Sequence, residues 1–325
     1  MRAKIDVTFR QSIEPHLIIA DQKTEQGPGA LWFSVGNLKI QSLRQVPVSG
    51  AGVTKDLAIT ALVFEGIERR NLFLSSHRGT GRLTTAPSGD LAVEAISLVT
   101  GREKLVPVGE VFLDAVTEGF ALRSPNSSGC AAGINAEHAL QGALFEALER
   151  EALGRWWHSS LPAPRIEINT PLTAKIRTAL AAEGRDLYWF DLPTVAGISV
   201  ITAVSPNASG KQIYLGAAGH TDALKAAEKS ALELMQFLFW DTQNRTITKS
   251  RARWIRESDL NTQIFLRPTC VSNKCSSRGL NLAELVAALA SEGIEPWAID
   301  LSDVATGVNV IRVLLPDHPK PVPFL

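Results

Sequence analysis

Cysteine is scarce in this 325-residue chain: Cys130, Cys270 and Cys275 are the only three, too few and too odd in number for a disulfide framework. Cys270 and Cys275 are spaced like half of a zinc site, but no second cysteine pair or nearby histidine completes it. Net charge is also missing. The 33 Lys and Arg balance 33 Asp and Glu, so no global field draws the chain to nucleic acid or to an anionic membrane. No uncharged apolar run approaches the ~20 residues that span a bilayer. Met1 to Arg10 alternates in part like a strand and lacks the apolar centre of a signal peptide, which reads as a cytoplasmic chain. Nucleotide fingerprints are absent too. Ser209-Gly210-Lys211-Gln212 lacks the glycine spacing and trailing hydroxyl of a P-loop and reads as a turn between strands; no G-x-G-x-x-G opens a helix. The six histidines, His16, His77, His138, His158, His220 and His318, show no metal-ligand spacing. His138 alone stands near other candidate chemistry, about two helical turns before Glu146. No Ser/His/Asp or Cys/His arrangement can be read from spacing.

What is present is an ordinary globular composition, 45% hydrophobic and 20% charged. The length allows about two domains of roughly 150 residues or one large one. Turn signals at Gly27-Pro28-Gly29, Gly36-Asn37 and Pro47 to Gly52 separate short expected strands at Leu31 to Val35 and Leu38 to Leu43. A helix is expected from about Thr54 to Leu72, an exposed loop from Ser75 to Gly89, then a second helix pair and a strand leading to the polar loop Ser124 to Gly129. Ala136 to Trp157 carries the longest helical signal. Beyond Pro162 and Pro164, helices are expected near Thr173 to Glu183, Asp222 to Trp240 and Leu282 to Glu292. Strands are expected near Leu187 to Phe190, Ile198 to Val204, Trp297 to Asp300 and Val308 to Leu315.

The chain repeats itself. Phe64-Glu65-Gly66-Ile67-Glu68-Arg69 recurs 81 residues later as Phe145-Glu146-Ala147-Leu148-Glu149-Arg150. A small-residue glycine loop precedes each helix: Ser49-Gly50-Ala51-Gly52, then Ser128-Gly129-Cys130-Ala131-Ala132-Gly133. No Pro/Ser linker separates the copies, which favours one integrated unit with internal pseudo-symmetry. In F-E-x-x-E-R the two glutamates and the arginine share one helical face. Their neighbours, among them Leu57, Ile59, Leu62, Val63, Leu140, Leu144 and Leu148, are apolar nearly all round, so these helices are buried and the carboxylates with them. A third helix repeats the theme with Glu233 and Gln236. One such motif alone reads as a structural ion pair at helix spacing. Two copies and a third acidic helix place four or five carboxylates against two arginines, a surplus that buried groups cannot carry without cations. Mg²⁺ held by carboxylates together with nucleotide phosphates answers that surplus, and the glycine loops offer backbone N–H groups to phosphate.

These residues resemble the YcaO family. Ser128 to Gly133, Glu137, Ala139 and Phe145 to Ala152 look like its central motif, and Thr54 to Asn71, with Glu65, Glu68 and Arg69, looks like its first. Gly216-Ala217-Ala218-Gly219-His220 with Ala227 and Leu232 to Gln236 is similar to its third, and Lys104 to Val108 resembles the strand before the central motif. The proline-rich end, Pro319 to Leu325, is similar to the tails of peptide-modifying members. The resemblance implies an α+β fold: a single integrated YcaO-like domain over 1–325, with mixed sheets packed with helices, a strand-rich N-terminal extension over 1–45 and a tail over 316–325.

The resemblance also implies function. An ATP- and Mg²⁺-dependent cyclodehydratase activates a backbone amide of a ribosomally made peptide, converting Cys, Ser or Thr to thiazoline or oxazoline, as in linear azole-containing, microcin-like antibiotic biosynthesis. Carried over residue by residue, Glu65, Glu68, Glu146 and Glu149 would hold Mg²⁺. Arg69, Arg150, Glu233 and Gln236 would contact ATP, and Glu149 and Arg150 would be catalytic. Ala61, Ile134 and Ala51 stand where the family often has Ser, Asn and Lys, a departure that stand-alone cyclodehydratase subunits share. With about 45 residues before the first motif, substrate recognition is expected to need a separate leader-binding, ubiquitin-activating-enzyme-like subunit. Azole formation would need a flavin-dependent dehydrogenase. Two alternatives accompany this reading: a thioamide-forming enzyme of the same family, and a non-catalytic scaffold with a decayed ATP site.

Overall fold

The computed structural model describes residues 17–40, 44–77, 80–115, 119, 126–194, 197–243, 249–268, 271–272, 279–302, 306–316 and 322. The expectations for residues 1–16, Cys270, Cys275, His318 and most of the proline-rich tail lie outside them. Among the described residues, three sheets make up the β structure. The first is a meander of β1 (Ile19–Gln26), β2 (Trp32–Ile40) and β3 (Arg44–Gly52). The second orders β4 (Leu83–Thr85), β5 (Leu91–Ser97), β13 (Trp297–Asp300), β14 (Asn309–Leu314) and β7 (Cys130–Gly133), with β6 (Glu103–Pro107) paired to β5. The third runs β11 (Tyr214–His220), β10 (Ser199–Ser205), β9 (Tyr188–Leu192), β8 (Arg165–Ile166) and β12 (Val271–Ser272). Among the described residues, β8 with β12 is the one parallel pair.

Among the described residues, seven α-helices complete the fold: α1 (Lys55–Asn71), α2 (Val108–Val111), α3 (Ala136–Ser159), α4 (Pro171–Ala182), α5 (Ala223–Thr242), α6 (Lys249–Glu257) and α7 (Leu282–Ser291). Three of them carry the core. Helix α1 buries Leu62, Val63 and Ile67 between Leu38 and Val48 of the first sheet and Val93 and Val310 of the second. Helix α3 places Leu144 and Leu148 between Val313 of the second sheet and Val200 and Leu215 of the third. Helix α5 sets Leu234, Met235 and Leu238 between Ile201 of the third sheet and Phe33 of the first. Sheets and helices therefore alternate in a closed ring. Two-sided burial explains why α1 and α3 are apolar nearly all round, and it makes each helix common to two cores.

The internal repeat is threefold, one copy more than the hexapeptide shows. Each unit is an edge strand followed by a helix: β3 with α1, β7 with α3, β11 with α5. Thr54, Asn135 and Asp222 stand at equivalent positions two residues past the strand. Each accepts a first-turn N–H with its side chain, from Leu57, from His138, and from Leu224 and Lys225. These caps satisfy donors that a helix start leaves unpaired. Glu65, Glu146 and Glu233 then occupy equivalent positions, as do Glu68, Glu149 and Gln236.

Several local expectations are corrected. The small-residue segments 49–52 and 130–133 are strand, not loops. Gly36 and Asn37 lie inside β2, not in a turn. A Cβ on Gly36 would sit 2.3 Å from Ile19 Cγ2, so the glycine there admits the neighbouring strand at its bulge. Among the described residues, the β5–β6 hairpin and the short α2 stand in place of the helix pair before residue 124. Residues 93–97 alternate buried and exposed with period two, which is a strand signature. The loop over 75–89 contains β4, and α6 was not anticipated. Among the described residues no helix is long and apolar enough to cross a membrane.

The strand-to-helix corner tolerates no side chain. A Cβ at Gly133 would lie 2.4 Å from the Ala139 nitrogen and 2.9 Å from its Cα. Gly133→Ala is expected to cost about 1–3 kcal/mol through overpacking, read as a lowered urea midpoint at unchanged m-value. An unchanged midpoint would show that the corner has slack.

Candidate active site

An edge strand leaves every second backbone N–H without a ladder partner. Strands β3, β7 and β11 are all edges of their sheets, and glutamates of the three core helices accept their outward N–H groups. Within a unit, the Ser49 N–H donates to Glu65 at 2.9 Å and the Ala217 N–H to Glu233 at 2.7 Å. Both pairs are separated by sixteen residues. Between units, the Ala132 N–H donates to Glu68 at 2.8 Å and the Gly219 N–H to Glu149 at 3.2 Å. Gln236 closes the ring, its Nε2 donating to Ser49 Oγ at 2.5 Å. Each core helix is thus tied to the strand of the next unit by the residue three positions after its first glutamate.

Two of these findings correct the sequence-based picture of a phosphate-cradling loop. The N–H groups of Ser49 and Ala132 already serve carboxylates, and the segments that carry them are strands. What faces the ligand side is carboxylate and guanidinium. Arg69 lies 3.6 Å from Glu65, and Arg150 lies 3.5 Å from Glu146 and 3.3 Å from Glu149. Side-chain exposure is 26% for Glu65, 25% for Glu146 and 35% for Arg69, against 9% for Glu149. Solvent, and so a ligand, reaches the first three, while Glu149 sits deeper.

Electrostatics joins the three helices into one site. Burial, then the charges of Glu146 and Glu65, push the Glu68 carboxyl up to about 8 against the pull of Ala132 N–H and Arg69. Burial and the charges of Glu233 and Glu146 push Glu149 up to about 8 against Arg150 and the Gly219 N–H. Glu65 and Glu146 are also raised, chiefly by burial, with Arg69 and Arg150 opposing. Every one of the predicted residues Glu65, Glu68, Arg69, Glu146, Glu149, Arg150 and Glu233 is coupled through charge to members of this group, and Gln236 joins it through Ser49.

The group fits a magnesium nucleotide. Its donors are hard oxygens with too few cations around them, and Glu149 Oε1 is buried with no hydrogen-bond donor, its neighbour being the Arg150 guanidinium. Among the described residues no three His, Cys, Asp or Glu side chains close round one point as a metal cage. Mg²⁺ seldom uses such a cage; it takes one or two carboxylates and completes its shell with phosphate and water. Among the described residues, the site offers no other chemistry. Cys130 is buried, and burial beside Glu68 pushes its thiol well above the usual range, so it is inert. His220 takes the place of Gly52 and Gly133; its Nδ1 accepts the Asp222 N–H at 2.8 Å, and burial with two lysines pushes it down to about 4. His138 is exposed at the start of α3.

Sequence reasoning missed two cations. Arg312 of β14 is buried, donates to the carbonyls of Val111 and Asn126, and its charge is felt by Glu146 and Cys130. Arg251 of α6 lies over the Phe237 ring. The first has no local signal, being isolated in an apolar strand. The second had one, a basic run beginning at Lys249, soon after the third acidic helix.

Comparison with known proteins follows the same lines. The family profile described as YcaO cyclodehydratase, ATP- and Mg²⁺-binding, matches residues 88–318, and the chain belongs to this family. That match begins after α1, so Glu65, Glu68 and Arg69 join the site on geometry. No curated protein matches the chain. Among solved structures, YcaO from Methanopyrus kandleri bound with AMPPCP and Mg²⁺ is similar at a TM-score of 0.80 and 21% identity, covering 94% of this chain and 88% of that one. A heterocyclase in complex with substrate and cofactor is similar at 0.81 and 18%, covering 95% of this chain and 51% of that one; the chain spans about half its length. The E. coli microcin synthetase McbBCD complex is similar at 0.67 and 19%, covering 93% and 87%. These likenesses show the fold.

The raised carboxyls make the ligand-free site a burden on stability. Between the ordinary value of 4.5 and about 8, folded Glu68 holds a proton that the unfolded chain releases. Its contribution therefore falls as pH rises through that window. In metal-free buffer, Glu68→Gln is expected to stabilise the protein by on the order of 1–3 kcal/mol at pH 8.5. The gain should shrink at pH 6 and vanish near pH 4.5, followed by chemical denaturation. A destabilisation independent of pH would contradict this assignment.

Proposed function

We propose that the chain is the catalytic cyclodehydratase subunit of a peptide-modifying complex. It uses MgATP to activate a backbone amide so that a neighbouring Cys, Ser or Thr side chain closes a thiazoline or oxazoline ring with loss of water. The observation that carries the reading is the surplus of carboxylate over guanidinium at the meeting of the three core helices. Glu65, Glu68, Glu146 and Glu149 would hold Mg²⁺, and Arg69, Arg150, Glu233 and Gln236 would contact ATP or orient those ligands. The nucleotide supplies the phosphoryl group that turns the amide oxygen into a leaving group, and Mg²⁺ offsets the charge that develops on it.

The chain's own residues set the geometry for that step. Arg150 is held between Glu146 and Glu149, and its fixed guanidinium would stabilise charge developing on the transferred group. Because Glu149 is anchored to the Gly219 N–H and Glu68 to the Ala132 N–H, their carboxylates need not reorganise when a cation arrives. Burial strengthens each of these interactions over its value in water. The precursor peptide, a separate leader-binding subunit related to ubiquitin-activating enzymes, and a flavin-dependent dehydrogenase are the partners this reading requires. Recognition of the leader by the separate subunit and action in the cytoplasm belong to the same reading.

One observation favours the scaffold alternative. Ile134, at the turn into α3, is an exposed hydrophobic where a polar nucleotide contact would be expected. Against it stands the charge of the buried carboxylates: neutral glutamines could accept the same strand N–H groups at less cost in stability, so a decayed site gives no reason to keep glutamate. The test is ADP release in Mg²⁺ with partner subunit and precursor peptide. Release is expected to require peptide and to fall at least ~100-fold in Glu149→Gln. No turnover with peptide and partner both shown to be bound would establish the scaffold; a product in which an amide oxygen is replaced by sulfur would establish the thioamide branch.

A further inference from the structure

The third unit breaks the repeat at one position. In α1 and α3 the second glutamate is followed by arginine, Arg69 and Arg150; in α5 the residue after Gln236 is Phe237. On the pattern of the other two units, a guanidinium belongs there. The next helix supplies one. Helix α6 packs so that Arg251 Cζ lies 3.8 Å from the centroid of the Phe237 ring, and the two side chains line one crevice with Trp254.

We propose that Arg251 is the third arginine of the site, delivered by α6 onto the Phe237 ring, and that it binds the polyphosphate of the nucleotide alongside Arg69 and Arg150. The inference rests on the nucleotide-binding reading above. A ring and a phosphate do not compete for the same guanidinium: the ring engages its face, and phosphate is bound in its plane. The surroundings agree with the placement. The charges felt by Arg251 are those of Glu233 on α5, Glu65 and Arg69 on α1, and Arg150 on α3, so it lies within electrostatic reach of groups on all three core helices. Burial pushes it down to about 10 even so, which leaves it cationic at neutral pH. A cation there narrows the surplus of five glutamates over two arginines without removing it, so a divalent ion retains its place. Arg69 and Arg150 each sit four residues after a glutamate that engages them. Arg251 comes from another helix, so its position depends on where α6 lies.

The test compares binding of MgATP and of AMP to the full chain by calorimetry, with thermal unfolding measured without nucleotide. Arg251→Gln is expected to weaken MgATP about tenfold or more while AMP changes less than about twofold. Arg251→Lys should recover part of the loss, because a point charge replaces a planar fork. Phe237→Leu, which keeps the cation but removes its platform, should lose less than Arg251→Gln. Equal losses for MgATP and AMP would mark Arg251 as a packing residue and overturn the proposal, as would MgATP affinity unchanged in both Arg251 variants. If Arg251→Gln does not fold, the MgATP-to-AMP ratio of Arg251→Lys decides the matter alone. Failure of the unaltered chain to bind MgATP would overturn the nucleotide reading and this inference with it, and is distinguishable because it needs no variant.

Discussion

The structure depends on how the free edges of three sheets are satisfied. Strands β3, β7 and β11 each present unpaired N–H groups, and an amide buried without an acceptor costs a free energy comparable to the loss of a hydrogen bond. The acceptors are glutamates on helices that must be apolar on their other faces, because each is wedged between two sheets. Edge, carboxylate and helix are therefore one constraint. Without Glu68 and Glu149 the second and third units would lose their ties to the helices of the preceding ones. Without Gln236 the third would lose its tie to the first.

The same arrangement stores negative charge at one place. Four of the five glutamates, Glu65, Glu68, Glu149 and Glu233, are held in position by a backbone N–H, and all five share two neighbouring arginines among the residues named in the repeats. Folding thus assembles a site short of cations, in which Glu68 and Glu149 are raised to about 8. Structural role and ligand role do not conflict, since one carboxylate oxygen can hold the strand while its partner oxygen is left without a hydrogen-bond donor. For Glu149 the division is visible: Oε2 accepts the Gly219 N–H, while Oε1 has no hydrogen-bond donor.

Much of this was legible in the sequence because it is local. Helices α1, α3 and α5 announced themselves by length and by apolar content, and seven charged site residues and Gln236 by the repeat and the family resemblance. The misread elements were those whose state is decided at long range. Gly50-Ala51-Gly52 and Cys130 to Gly133 have the composition of loops and become strands because a neighbouring strand and a helix need close approach. Gly36 reads as a turn until β1 is seen passing over it. The segment 91–107 has no strong turn residues before Gly101, and its period-two burial appears only once a sheet lies beneath it. The third repeat unit lacked its arginine, and nothing in α5 said that Arg251, fourteen residues on, would stand over Phe237.

The account's central claim is that the carboxylates gathered by three sheet edges hold a magnesium nucleotide. A crystal structure with a non-hydrolysable ATP analogue and Mg²⁺ tests it most directly. The account predicts metal density against glutamates of α1 and α3, with phosphates completing its coordination and the amide-to-glutamate bonds of Ala132 and Gly219 retained. Nucleotide bound away from the three core helices would contradict it, as would an ion-free site with Glu68 and Glu149 paired only to protein in the presence of both ligands.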